Sequence, residues 1–495
     1  MEKIVSSRVM RESDEYTCAN ITSSRELMYR AGKGIYECLP QGGRVALVCG
    51  AGNNAGDGFV VAKLLHENGG DATVFLLSEK FSESGRYYFD MCVKMGVKTE
   101  KCTEETEFYG FDTIVDCIFG TGFHGEAHGL ATKIIDKINE SGAYVVSADI
   151  NSGLSADSGM SAKCVRSDLT VSVGSYKYGH FLGMAKDIMR TKKNIDIGIE
   201  IRGEYALLAE KADFIPHINP RLNCSNKGTY GYVGIMGGCR EYSGAVKLAA
   251  MGASALRAGC GVAKIIVPES IASYVAPWIL ESTLLPMRDE AGHIVFDRKA
   301  LDSALAGLVA LSVGMGWGKS AENAKILEYI LAEKALPLII DADGLNTLAS
   351  MDKNLLKNTA CRVVLTPHPK EFERISGVPV AEVLEKPAEC AKAFAREYGV
   401  IVLLKGASTV VTDGEVTYIS ERGSAGMATA GSGDVLSGVL TGLLGYMEYS
   451  HLTVALGAYL AGSAGELAAE EYTAFAMTAG DTARMLPKAW KELIG

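Results

Sequence analysis

From residue 44 onward, short apolar runs alternate with segments of helical period. Strand-like runs fall at Val45–Cys49, Ala72–Leu77, Thr113–Ile118, Ala143–Ile150 and Leu169–Val173. Between them, Gly58–Asn68 and Ala131–Ser141 place apolar residues three and four apart. Apolar strands separated by amphipathic helices predict a parallel sheet covered on both faces. Residues 1–43 read as one or two leading helices. The segment 213–231, DFIPHINPRLNCSNKGTYG, breaks the pattern with prolines, polar residues and glycines, and the domain boundary is placed there. A second series follows: Tyr232–Met236, Ala263–Val267, Leu308–Val313, Leu338–Asp341, Arg362–Leu365 and Val400–Leu404. Ser408–Ser420 reads as a hairpin turning at Asp413-Gly414. No internal repeat relates the two halves. The expected fold class is α/β in two domains, residues 1–215 and 216–495, the first a Rossmann-like three-layer parallel sheet.

Length supports that division, because 495 residues exceed what one core holds. The net charge of −10, with no basic block, argues against a nucleic acid or an anionic membrane as partner. The 12 cysteines are scattered with no C-x-x-C pair, which suggests buried free thiols in a reducing compartment. The charged N-terminus, MEKIVSSRVMRESDE, has no apolar core, so no signal peptide is expected and the expected location is cytoplasmic. The longest apolar stretch, Val435–Met447, is shorter than the roughly 20 residues of a membrane span.

Candidate chemistry concentrates in two glycine-rich turns of different design. GAGNNAGDG (50–58) follows the run Val45–Val48, and AGSGDVLSG (430–438) opens a long stretch of small apolar residues. Each sets backbone N–H groups at a helix N-terminus, which favours a phosphate. Each also carries an aspartate, Asp57 or Asp434. An acid beside a phosphate is costly unless it binds a cation or moves a proton. The first turn also satisfies G-x-G-x-x-A, so a dinucleotide-binding dehydrogenase is a rival, although the acid wanted at the end of the next strand is late, at Glu79. Two more strand ends carry polar residues: VDCIFGTGFHG (115–125) with Asp116, and SADINSG (147–153) with Asp149 and Ser152. A buried Asp116 needs a partner. Either a cation shared with Asn54 and Ser152 or plain backbone hydrogen bonds would serve.

The strings NNAGDG, VDCIFGTGFHG, DINSG and VGSYKYGHFLG (173–183) resemble the NAD(P)H-hydrate epimerases, over roughly residues 9–215. The resemblance implies interconversion of the R and S forms of hydrated nicotinamide cofactors. It implies substrate contacts from Asn53, Asn54, Ala55, Gly56 and Asp57, from Gly120, Thr121, Gly122, Phe123, His124, Gly125 and Glu126, and from Asp149. It implies potassium held by Asn54, Asp116 and Ser152, with Asp149 as the acid/base residue. The chain departs from the usual pattern at Ala55 (commonly glycine), at Asn151 (DINSG for DIPSG) and at Tyr29, where an acid is common.

In the second half, Gly431 and Gly433 free successive N–H groups to face an oxyanion. Asp434, at the helix start, can accept a proton from a hydroxyl; as a bland alternative it caps the helix. LLKGAST (403–409), LTPHPKEF (365–372), IIDADGLNTL (339–348) and SVGMGWG (312–318) end other strands. With NKGTYG (226–231), GGCREYSGA (237–245) and TAGDTARMLPKAW (478–490), they resemble the ribokinase-like kinases and, within them, the ADP-dependent NAD(P)H-hydrate dehydratases. The resemblance covers nearly all of 224–495 and implies a ribokinase-like α/β domain. It implies substrate contacts at Ala245, Gly316, His368 and Asp434, and nucleotide contacts at Lys405, Gly406, Ala407, Ser408, Thr409 and Gly433. Asp434 is the implied base, ADP the co-substrate and magnesium its companion. Ala430 and Lys370 stand where glycine is common.

Together the expectation is a bifunctional repair enzyme acting on NADH and NADPH hydrates, as an assembly of identical subunits. Two rivals stand: a C-terminal kinase of a vitamin precursor, and an N-terminal domain that only binds a nucleotide.

Overall fold

The computed structural model describes residues 2–251 and 257–495. Two compact units appear, Glu2–Ala206 and Leu207–Gly495.

In the first unit seven strands lie parallel in the order Lys98–Lys101, Asp71–Leu76, Arg44–Cys49, Thr113–Cys117, Tyr144–Ala148, Ser167–Val173 and Met189–Ile195. Successive side chains of a strand face opposite ways. Val45, Leu47 and Cys49 join a core with the helices Ser24–Tyr36, Asn53–Glu67 and Glu83–Met95. Ala46 and Val48 face the other core, built on Leu130–Glu140. Both faces are covered, giving three layers. The first three strands of this sheet in chain order, Arg44–Cys49, Asp71–Leu76 and Lys98–Lys101, run toward one edge, and the next, Thr113–Cys117, returns to the other side of Arg44–Cys49. That reversal opens a crevice at the carboxyl ends of Arg44–Cys49 and Thr113–Cys117.

Two sequence expectations change here. The first-turn helix begins at Asn53, not near Gly58, because Gly52 (φ +81°) completes the turn by itself. Asn53–Asp57 are therefore helical and present side chains, not a bare backbone loop. The strands Lys98–Lys101 and Met189–Ile195 escaped the pattern because they are sheet edges, and their sequences, KTEK and MRTKKNI, are largely polar.

The second unit carries seven parallel strands, Thr283–Met287, Val262–Pro268, Tyr232–Met236, Ala310–Val313, Pro337–Ile340, Arg362–Leu365 and Ile401–Leu404. The expected hairpin follows as Thr409–Thr412 and Thr417–Ser420, antiparallel, and Leu207 and Leu208 pair parallel with its second strand. Helices Ser432–Leu444 and His451–Ala476 fill the core beside the sheet. His451–Ala476 is long and apolar enough to cross a membrane, but 83% of its most apolar window is buried inside the unit, as in a core helix. All twelve cysteines are free thiols.

Candidate functional sites

Each unit holds one glycine-rich turn at the carboxyl ends of its parallel strands. In the first unit a cavity of about 680 Å³ opens at the crevice. Asn53, Asn54, Asp57, Gly120, Thr121, Gly122, Phe123, His124 and Asp149 all line it, so the three predicted strand ends converge. A Cβ on Gly120 would lie 3.2 Å from both Asn54 Cβ and Asp149 Oδ2, which is why glycine sits there. Ala55 and Gly56 are not among the lining residues. Ala55 is fully buried, and a Cβ on Gly56 would meet Met28 Sδ at 2.4 Å. Gly125 and Glu126 also lie outside the lining.

Asp149 is the most constrained residue of this cavity. Its φ is +64°, and Ile150 N donates to Ala148 O across it at 2.8 Å. This is a γ-turn of the rare positive-φ kind, a conformation that costs about 1–3 kcal/mol outside glycine. The Asp149 N–H donates to Val171 O at 2.8 Å. Its carboxylate accepts from Thr121 N at 2.9 Å, from the Thr121 hydroxyl, and from the ammonium of Lys177. Lys177 is fully buried and also donates to Val173 O at 2.9 Å. Burial alone would raise the Asp149 carboxyl; the Lys177 charge and the donors from Lys177 and Thr121 overcome it and hold the group below its usual range.

Asp57 goes the other way. Burial first, then the charges of Asp149 and Asp14, push its carboxyl well above the usual range. One cavity thus holds a carboxyl kept below its usual range beside one pushed well above it, the division that acid–base chemistry needs. Asp14, on the helix Ser7–Asn20, also lines the cavity, and burial and Asp149 raise it too. Sequence reasoning missed Asp14, because nothing in the polar helix surface MRESDE (10–15) marks one acid from its neighbours. Lys177 lay inside a quoted string, yet only the fold turns it onto Asp149.

Below the cavity, Asp116 is fully buried. It accepts from Ser152 Oγ at 2.5 Å, Ser152 N at 2.9 Å, Ser147 Oγ at 2.9 Å and Ile118 N at 3.2 Å. Burial still outweighs these donors and raises its carboxyl. The hydrogen bonds satisfy Asp116 without a cation, but they do not satisfy its neighbour. Asn54 Nδ2 donates to Phe119 O at 3.0 Å, while Asn54 Oδ1 is buried with no partner. Phe119 O lies 3.2 Å from Ser152 Oγ. An orphaned amide oxygen beside a carbonyl, a hydroxyl and a carboxylate is an all-oxygen set, the kind hard cations take.

In the second unit Gly431 (φ +97°) turns the chain into the helix Ser432–Leu444, and no side chain caps the helix. Asp434 sits in its first turn. Burial pushes the Asp434 carboxyl up to about 7; Asp341 adds to the rise and Lys405 opposes it. Lys405 Nζ donates to Asp341 Oδ1 at 2.9 Å and lies 3.7 Å from Glu371 Oε2. Ser437 Oγ, one turn beyond Asp434, donates to Asp341 Oδ2 at 2.8 Å. A Cβ on Gly433 would stand 3.3 Å from Lys405 Nζ. Lys405, Gly433 and Asp434 therefore meet, while Gly406 and Ala407 are exposed, Ser408 is buried and Thr409 opens the hairpin strand. Of the two acids that hold Lys405, Asp341 was noted from sequence within IIDADGLNTL without a role, and Glu371 was not singled out.

Ala245 and Gly316 also come together: a Cβ on Gly316 would be 2.9 Å from Ala245 Cβ. His368 caps the helix Pro369–Ser376, its Nδ1 accepting from Lys370 N at 3.1 Å and Glu371 N at 3.3 Å. Burial holds its imidazole below the usual value. The neutral ring then carries its proton on Nε2, which lies 3.5 Å from Glu371 Oε1.

Comparison with known proteins covers both units. Residues 24–179 match the family model for YjeF-related protein N-termini, and residues 233–488 match that for NAD(P)H-hydrate dehydratase. The bifunctional NAD(P)H-hydrate repair enzyme Nnr of Moorella thermoacetica is 34% identical, over 97% of this chain and 94% of its own length. The Escherichia coli enzyme of the same description is 30% identical, over 92% and 87%. A crystal structure of the ADP/ATP-dependent NAD(P)H-hydrate dehydratase of Bacillus subtilis, co-crystallised with ATP and magnesium, is 27% identical with a TM-score of 0.50. It covers 58% of this chain and 99% of that one.

Proposed function

The chain belongs to the family of bifunctional NAD(P)H-hydrate repair enzymes, and on that premise we propose that it epimerises NAD(P)H hydrates in residues 1–215 and dehydrates the S form with ADP in residues 216–495. The observation that carries the first activity is the cavity in which the Asp149 carboxyl is held below its usual range and the Asp57 carboxyl pushed well above it. The hydrate bears a hydroxyl on C6, next to the ring nitrogen. Asp57 gives its proton to that hydroxyl, which leaves as water while the nitrogen lone pair forms the C6=N bond. Water then adds to the opposite face of C6, and Asp149 takes its proton. A further transfer from one carboxyl to the other through solvent restores the starting state.

In the second unit Asp434 takes the proton of the C6 hydroxyl as its oxygen attacks the β-phosphorus of ADP, releasing AMP. The phosphorylated oxygen leaves as phosphate and C5 gives up a proton, which restores the dihydronicotinamide. The backbone N–H groups after Gly431 suit the transferring phosphoryl group. His368 and the Ala245–Gly316 contact are assigned to the hydrate, and Lys405–Thr409 with Gly433 to the nucleotide. Magnesium belongs on the nucleotide phosphates. Self-association and a cytoplasmic location are part of the same reading.

The deciding experiment mixes the protein with both epimers of NADH hydrate and follows NADH absorbance with ADP, with ATP or with neither. Complete conversion of both epimers with ADP is expected. Conversion that stops at the S fraction would reject the epimerase, and a stable phosphorylated alcohol with no NADH would favour a small-molecule kinase.

Asn54 Oδ1, Ser152 Oγ, Asp116 and the Phe119 carbonyl fit potassium. The ion would add positive charge beside the turn Phe119–Gly122 and fix its carbonyl end. Replacing potassium with choline is expected to slow epimerisation by about tenfold or more, and Asn54→Ala should abolish that response. An unchanged rate in choline would remove potassium from the site.

A further inference from the structure

We propose that His180 is a positioning residue for epimerisation: it holds the strained turn at Asp149 and the backbone of Lys177 together, so that the ion pair faces the cavity. The proposal rests on reading the first unit as the epimerase. His180 is fully buried and is not among the residues lining the cavity, so it acts on the substrate only through others. Its two ring nitrogens have separate tasks. Lys177 N donates to Nδ1 at 2.9 Å, which makes Nδ1 an acceptor and leaves the proton on Nε2. Nε2 lies 2.8 Å from Asp149 O and donates to it. One imidazole thus grips the main chain of both members of the ion pair, three residues from one and 31 from the other.

The grip has a specific purpose. A positive-φ turn at a residue with a side chain relaxes unless neighbours over-determine it. The Asp149 N–H is held by Val171 O, and its carbonyl is held by His180. Relaxation of the turn would swing the carboxylate away from Thr121 and Lys177. Burial drives the imidazole down to about 4, so the ring stays neutral and keeps this single tautomer through the working range. Tyr176 and Phe181 pack against or beside the ring, at centroid distances of 5.6 Å and 6.5 Å, and limit its rotation.

The test compares His180→Phe, His180→Gln and His180→Asn in the full chain, with near-ultraviolet circular dichroism and thermal melting as the check on folding of the first unit and ADP-dependent dehydration of the pure S hydrate as the check on the second. His180→Phe is expected to lower kcat for epimerisation about 100-fold with KM nearly unchanged, the scale of a misplaced catalytic group. Its acid limb in kcat should move to higher pH, because Asp149 loses part of its contact with Lys177 while Asp14 and Asp57 still face it. His180→Gln, whose amide reaches the Nε2 position, should recover most of kcat and the parent limb. His180→Asn, which reaches only the Nδ1 position, should not. Parent kcat and an unmoved limb in His180→Phe overturn the proposal. If His180→Phe does not fold, equal kcat in the Gln and Asn variants overturns it. A parent protein that does not epimerise at all rejects the epimerase reading itself.

Discussion

Replacing Asp434 with asparagine is expected to lower ADP-dependent dehydration of the S hydrate by about 10²–10⁴-fold, the contribution of a well-placed general base. Epimerisation by the same protein should be unchanged, because Asp434 and the cavity belong to different units. The carboxyl stands at about 7, raised by burial and by Asp341. As a base it must be ionised, so kcat/KM for dehydration should fall tenfold per unit below about pH 7 and level off above it. The same elevation has a cost in stability. A carboxyl whose folded value exceeds its unfolded one binds the extra proton in the folded state, so stability decreases as pH rises from 3.8 to about 7. Asparagine removes that loss and relieves the repulsion from Asp341, Asp343 and Glu371. The variant should therefore melt at a higher temperature than the parent at pH 8, with no such gain at pH 4. Stopped assays of NADH formation and thermal melts at both pH values check this. Dehydration at the parent rate would dismiss Asp434 as the base.

The alternation of apolar runs with amphipathic helices carried the α/β class and both parallel sheets, because buried parallel strands must be continuously apolar. It could not carry Lys98–Lys101 or Met189–Ile195, whose polar edges obey no such demand. The three strand-end motifs around Asn54, Asp116 and Asp149 were legible because open α/β sheets bind ligands at strand carboxyl ends. The partners that set the chemistry were not. Lys177 reaches Asp149 from 28 residues away, and Asp341 reaches Lys405 across 64. Such contacts depend on strand order, which local pattern does not encode. The γ-turn at Asp149 was invisible for another reason: it occurs without glycine, so no residue type announces it. His368 shows the converse. The resemblance assigned it to the substrate, and the structure gives its Nδ1 a helix to cap and sets its Nε2 3.5 Å from Glu371 Oε1.

Asp149→Asn keeps the shape of the side chain and removes its charge. Epimerisation should drop by about 10²–10⁴-fold, since the group that accepts the proton from water is lost. With ADP, an epimer mixture should then be consumed only to its S fraction, at the parent's dehydration rate. The stability effect is large and separable. Lys177 would be left fully buried without its counter-charge, a change that costs about 3–5 kcal/mol when one member of a buried pair is removed. Replacing the whole pair with uncharged groups is often neutral, so adding Lys177→Met should restore the melting temperature without restoring epimerisation. The pH dependence has a definite sign. The folded Asp149 carboxyl lies below its ordinary value of 3.8, so its stabilisation is complete above that pH and is lost as pH falls through the folded value. The gap in melting temperature between parent and Asp149→Asn should accordingly be full at pH 7 and narrow below pH 3.8. Asp57, raised in the folded state, contributes with the opposite slope, and less so in the variant, which lacks the Asp149 charge that helps to raise it. A variant that epimerises normally would move the base elsewhere in the cavity. Recovered stability with no recovered turnover would separate the charge that the fold tolerates from the charge that the reaction uses.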